Sequence, residues 1–300
     1  MNIFYKEHNK KDMTITQLTV FLKIAETGSF TKAGEELYMS QPAVSRAILS
    51  LESELDITLI IRDRKNGIIF TDVGKRMLVH IREILKGLEQ MKQEAAAEKG
   101  LEVGTIRIGT FPTASAYFLP KIISTIQHKY PNLEFNLYEG TINEVKEWLV
   151  SRTIDVGIIS SSNEDLEIIS LYKDKMVAIM RDDHPLQGKE YIRINDLDNE
   201  PIIMCKGGNE LPIIDIFNKT ATNLQVKFVV HSTSALLNMV KEGLGLAILS
   251  ELSLTTLPPN IQVRELDPPI LRDINLAVHS LKQGSLAVQL FIQTARELFN

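Results

Sequence analysis

Apolar positions recur with two different periods along this chain. Up to about residue 97 the spacing is helical, and from Val103 onward short apolar runs of strand length alternate with helical segments. The most informative helical stripe lies at 40–55, where Val44, Ile48, Leu51 and Leu55 share one face. Ser40 or Gln41 can cap this helix, and Pro42 suits a first turn, where a missing N–H costs nothing. Its other side carries Gln41, Pro42, Ser45 and Arg46, with no carboxylate before Glu52. Short polar side chains and one fork-shaped cation, free of negative charge, suit a helix that enters the major groove.

The neighbouring pattern supports that reading. A helix from Thr16 buries Leu18, Phe21, Leu22 and Ala25 and stops at Gly28. Ser29 or Thr31 caps a short second helix with Phe30, Ala33 and Leu37 facing inward, and Tyr38 and Met39 make a tight connection. This is a helix-turn-helix arrangement. Two apolar segments, 58–61 and 68–70, then flank Asn66 and Gly67, a strong hairpin signal. The hairpin carries Arg62, Arg64 and Lys65 and reads as a wing on the phosphate backbone, with Thr31 and Lys32 as further phosphate contacts. Residues 72–97 read as one long helix whose narrow stripe, Met77 or Leu78, Ile81, Leu85, Leu88 and Met91, suits a dimer seam, with Leu78, Ile81, Leu85 and Leu88 at its centre. Residues 98–104 read as a hinge.

Beyond the hinge, strands are expected at 103–109, 133–138, 155–159, 175–180, 201–204, 226–230, 246–249 and 273–278. Helices are expected at about 116–129, 142–151, 212–219, 234–242 and 285–299. Repeated β–α units imply mainly parallel sheets, in one large domain or two small lobes, with ligand loops at the carboxyl ends of strands. The loops after several strands are rich in Thr, Ser and Gly. They supply Thr110, Thr113, Ala114, Ser115, Thr141, Ser160, Lys206, His231 and Thr233 as candidate contacts for a small anion. Ser115 is expected to open a helix, and Lys206 is the only Lys or Arg in these loops.

Composition narrows the function classes. Three hundred residues of ordinary hydrophobic content allow two or three soluble domains, and no run approaches a membrane span. The amino-terminal stretch lacks an apolar secretory core, and the single cysteine, Cys205, excludes an internal disulfide. Both point to the cytoplasm; Met1 and Met13 are alternative starts. The net charge of −5 is uneven: residues 1–82 hold twelve Lys and Arg against ten Asp and Glu, so they carry about +2 and the remainder −7. Motifs for nucleophilic, zinc or phosphate-loop catalysis are missing, which argues against an enzyme and against a bound metal or cofactor. Two other readings are a solute-binding protein or enzyme built on the α/β segment, and a redox sensor using Cys205.

The chain resembles the LysR-type transcriptional regulators from about Thr16 to Phe299. The most specific matches are Gly28 through Ala33, Ser40 through Ser45, Leu51 and Glu52, Leu59 through Arg62, and Thr71 through Gly74. Weaker ones are Ile106 through Gly109, Leu119 and Pro120, Tyr130 and Pro131, Asp155 through Ile158, His184 through Leu186, and Gly243 through Gly245. Gly34, Asp56 and Ile60 depart from the usual alanine, glycine and phenylalanine.

The resemblance implies an α/β protein with an N-terminal winged helix-turn-helix domain at 13–71. It also implies a linker and dimerisation helix at 72–102 and a two-lobed effector domain at 103–300, like periplasmic binding proteins. Lobe I would take 103–174 and 274–300, and lobe II 175–273. The expected function is an activator or repressor of transcription controlled by a small, anionic co-inducer held between the lobes. The expected partners are a double-stranded operator with a partial inverted repeat, further copies of the chain in a dimer or tetramer, and RNA polymerase.

Overall fold

A computed structural model describes residues 12–63, 67–98, 103–160, 165–206 and 210–299, and the chain divides into two compact units, 1–98 and 99–300. Arg64 and Lys65 lie outside the described residues.

The first unit begins with α1 (Ile15–Thr27). Thr14 closes a capping box with Gln17, each satisfying a backbone donor of the other. Gly28, at φ 63°, ends the helix. Ser29 then caps α2 (Phe30–Glu36), so Thr31 stands inside the helix. Gly34 departs from alanine for a visible reason: a Cβ there would sit 2.6 Å from the Met39 carbonyl oxygen. α3 (Gln41–Leu55) buries Val44, Ile48 and Leu51, and Ser40 holds the N-cap position without a side-chain hydrogen bond. Asp56 ends α3 at φ 52°, a left-handed position that aspartate tolerates better than most residues.

The wing is β1 (Ile60–Asp63) paired antiparallel with β2 (Gly67–Phe70). The Glu52 carboxylate accepts the Leu59 and Ile60 N–H groups at 2.7 and 3.0 Å, which pins the first strand to the end of α3. Thr71 caps α4 (Asp72–Ala97). Two of the four residues expected at a dimer seam are buried within their own unit. Leu78 and Ile81 are 8% and 5% exposed and complete the core of their own unit with Phe21, Ile24, Val44 and Leu59, and Leu85 packs on its edge. The apolar residues that α4 leaves outside are Ile84 and Met91, with Leu88 half-buried between them.

The second unit contains β3 (Gly104–Thr110), α5 (Pro112–Lys129), β4 (Leu133–Glu139), α6 (Ile142–Val150), β5 (Val156–Ile159) and β6 (Glu167–Arg181). It continues through β7 (Tyr191–Arg193), β8 (Pro201–Cys205), α7 (Glu210–Lys219), β9 (Gln225–Val230), α8 (Thr233–Lys241) and β10 (Ala247–Ser250). β11 (Ile261–Asp267), β12 (Leu271–Val278) and α9 (Leu286–Phe299) complete it.

The sheet order is β4-β3-β5-β12-β6-β11-β7, with β10 also on β6, and β8 and β9 form a separate parallel pair. The expectation of mainly parallel sheets is corrected to a mixed one. β3, β4 and β5 are parallel, but β6 runs antiparallel to β10, β11 and β12. The fifteen-residue β6 carries the chain out of lobe I and β12 brings it back, so the two must run in opposite directions. Lobe I packs α5 and α9 on its strands around Ile108, Phe118, Leu276 and Phe291. Lobe II has two apolar clusters, one around Met180, Ile202 and Phe217, the other around Ile203, Leu236 and Leu249.

Candidate nucleic-acid interface and interlobe cleft

In the first unit, Gln41, Pro42 and Arg46 are exposed on the opening turns of α3, Ser45 is half-buried beside them, and Thr31, Lys32 and Ser40 are exposed nearby. The first turn of α3 carries no acidic residue. Neither Gln41 nor Arg46 makes an intramolecular hydrogen bond or ion pair among the described residues, so their donors remain available. Arg62 is placed differently. Its Nη2 donates to Ser45 Oγ at 2.7 Å, and its guanidinium lies 3.9 Å over the centre of the Phe30 ring.

In the second unit, a cleft of about 730 Å3 opens between the lobes. Thr141, Ile142, Asn143, Lys146 and Ser160 line it from lobe I, α7 from lobe II, and Pro269, Ile270 and Leu271 from the returning crossover. Of the nine residues expected to meet an anion, only Thr141 and Ser160 border this cleft.

The others lie outside it. Thr110 is fully buried and donates to the Phe111 carbonyl, and Ala114 is buried in the lobe I core. Thr113 shares a 3.1 Å hydroxyl hydrogen bond with Ser253. Ser115 does not open α5: the helix starts at Pro112, and the Ser115 N–H already donates to Phe111 O. Its side borders a separate groove with Pro120 and Leu137. Lys206 and His231 are exposed at the ends of β8 and β9, and neither they nor Thr233 line the cleft.

Thr141 itself is occupied, since its N–H and hydroxyl both donate to Glu144 Oε2, at 2.7 and 2.8 Å. Those two bonds hold the Glu144 carboxyl below its ordinary pKa, the backbone one contributing most. The helices bring charges that loop composition did not disclose. Lys146 and Lys219 reach the cleft from opposite lobes, and neither has an ion-pair partner among the described residues. Glu210 and Asp215 stand beside them on α7.

At the crossovers, Arg272 of β12 and Asp174 of β6 sit opposite one another in register. Arg272 Nε and Nη2 both donate to Asp174 Oδ2, at 3.0 and 2.6 Å, with the side chains 2% and 0% exposed. The guanidinium also lies 5.3 Å from the centre of the Phe111 ring. Sequence reasoning marked Asp174 as a crossover but missed this pair, whose partners are 98 residues apart. Cys205 is buried, which pushes its thiol pKa up, while a hydrogen bond with Thr233 opposes the shift. Among the described residues no group of His, Cys, Asp and Glu could hold a metal ion, and no helix is long and apolar enough to cross a membrane.

Comparison with known proteins joins the two sites. Residues 15–75 match the family described as bacterial regulatory helix-turn-helix protein, lysR family, and residues 99–300 match the LysR substrate binding domain. The uncharacterized HTH-type transcriptional regulator YvbU of Bacillus subtilis is 60% identical, over 96% of this chain and 99% of its own. The HTH-type transcriptional activator CmpR of Synechocystis is 30% identical, over 94% of each chain. Among solved structures, full-length OxyR of Pseudomonas aeruginosa superposes with a TM-score of 0.78 at 21% identity, covering 95% of both chains. Full-length CbnR in complex with its target DNA gives 0.64 at 22%, covering 95% of this chain and 99% of that one. A winged-helix unit followed by a two-lobed α/β unit, matched along nearly the whole chain to named transcriptional regulators, is a LysR-type architecture, and the chain belongs to the LysR family of DNA-binding transcriptional regulators.

Proposed function

We propose that this regulator reads its operator through Gln41 and Arg46 and answers to a small anionic metabolite held in the interlobe cleft. Lys146 and Lys219 carry the second half of the reading: two cations with no ion-pair partner among the described residues converge on one cleft from opposite lobes. An anion bridging them stabilises the closed arrangement more than the open one, and only such differential binding can shift a conformational equilibrium. Glu210 and Asp215 favour a ligand that also carries a hydrogen-bond donor, such as a hydroxyl or amine. The expected site is therefore built on helices and charges, in place of the neutral loop donors that composition suggested.

At the DNA, Thr31 and Lys32 hold phosphate, while Gln41, Pro42, Ser45 and Arg46 face base edges. Assembly uses the outer face of α4, where Ile84, Leu88 and Met91 follow one another at helical spacing. A two-fold dimer then places two copies of α3 on an inverted-repeat operator. RNA polymerase is the further partner of the bound dimer.

The test is thermal stability of the full chain against a panel of small carboxylates and phosphorylated metabolites. A ligand that binds only the folded state must raise the melting temperature. Lys146→Met is expected to remove at least tenfold of the affinity for any hit, since it deletes a charge-assisted contact worth about 1.5–3 kcal/mol. A hit unaffected by both Lys146→Met and Lys219→Met lies elsewhere.

A further inference from the structure

The wing has to be held at a set angle to the recognition helix, and its strands are only four residues each. Two side chains tie it down. Glu52 fastens the entry to β1 through the Leu59 and Ile60 N–H groups. Arg62, two residues further on, is fastened by its other neighbours: Ser45 on the second turn of α3, and Phe30, the first residue of α2. One guanidinium therefore touches all three elements of the DNA-reading surface. It also covers Phe30, which is only 8% exposed although it starts a surface helix.

A cation that serves phosphate as a point charge needs free donors and no planar partner. Arg62 spends one nitrogen on Ser45 and one face on Phe30, a use that depends on the flat, forked guanidinium and not on charge alone. We propose that Arg62 is a positioning residue, a brace that joins the wing to α2 and α3, and not a phosphate ligand. Reaching for phosphate would forfeit the stack and uncover the ring. The brace also engages the Ser45 hydroxyl, which accepts from Arg62.

Charge and shape can be separated by substitution. The full chain is assayed on a duplex that the wild-type protein selects from a random pool. Arg62→Lys keeps the charge and loses the plane, whereas Arg62→Met loses both. The brace predicts that both variants bind about tenfold more weakly, a loss equivalent to one stack and one hydrogen bond. Phe30→Leu is expected to give the same deficit, with the Phe30→Leu/Arg62→Met double variant within about twofold of the single ones, because coupled partners do not add. Melting temperatures confirm that each variant is folded; if Phe30→Leu is not, the Lys and Met pair decides alone. Arg62→Lys binding within about twofold of wild type overturns the brace. If Arg62→Met then also shows a salt dependence shallower by about one unit, Arg62 is a phosphate ligand.

Discussion

The two units use arginine in opposite ways. Arg62 lies at the surface, bonded to a hydroxyl and stacked on a ring. Arg272 is 2% exposed, bonded twice to a carboxylate that is itself fully buried. The first holds exposed elements in register at little electrostatic cost, because water still reaches it. The second has left water, and its two bonds to the Asp174 carboxylate offset the loss. A surface brace is thus expected to matter for binding and little for stability, and a buried pair the reverse.

The difference is sharpest under single substitution. Arg272→Met strands the Asp174 charge at the crossovers and is expected to cost about 3–5 kcal/mol of stability in the second unit. Urea unfolding followed separately for the two units reads this out. Adding Asp174→Leu should recover most of the loss, since an apolar pair avoids the desolvation that an orphaned carboxylate suffers. A mild effect of Arg272→Met alone would mean that water reaches the crossovers.

The long helix offers the next contrast. Leu78→Ala removes a core side chain and should cost about 2–4 kcal/mol of first-unit stability. Met91→Ala, on the exposed side of the same helix, should leave folding within about 0.5 kcal/mol and weaken self-association instead. Sedimentation and thermal melts distinguish the two. The opposite pattern would return the seam to the Leu78 stripe.

Gln41→Ala should cost about 1–3 kcal/mol on the preferred sequence and less on others, because a bidentate base contact carries discrimination as well as affinity. Selection from a random pool measures the change in preference. A uniform loss would assign Gln41 to the backbone. The smallest effect is expected at Cys205. Burial raises its thiol pKa, so at pH 7–8 less thiolate forms than on a free cysteine and labelling in the folded protein should be slow. Rapid labelling would revive a redox role.

Legibility also differs between the units. In the first, the residues expected to read DNA lie close together in sequence, and α3 exposes Gln41, Pro42 and Arg46 on its opening turns. What misled was the stripe on α4: Leu78, Ile81 and Leu85 have the spacing of a seam, but the same spacing serves a core. In the second, threonines and serines after strands looked like ligand donors. Thr110, Thr113 and Thr141 instead satisfy their own loops, caps and neighbours. The cleft charges were hidden because Lys146 and Lys219 sit inside helices, where sequence reads them as solvated faces.

The chain's own pattern determined the element types, the winged helix-turn-helix, the long helix and the α/β character of the rest, because periodicity and capping act over a few residues. Tertiary structure decided what depends on distant partners: which face of α4 is buried, how β6 and β12 run against each other, and which cations meet in the cleft. It alone brought Asp174 to Arg272 and laid Arg62 on Phe30. Local propensity is set by neighbours in sequence, whereas the environment of a charge is set by whatever folds over it, and no spacing rule reports that in advance.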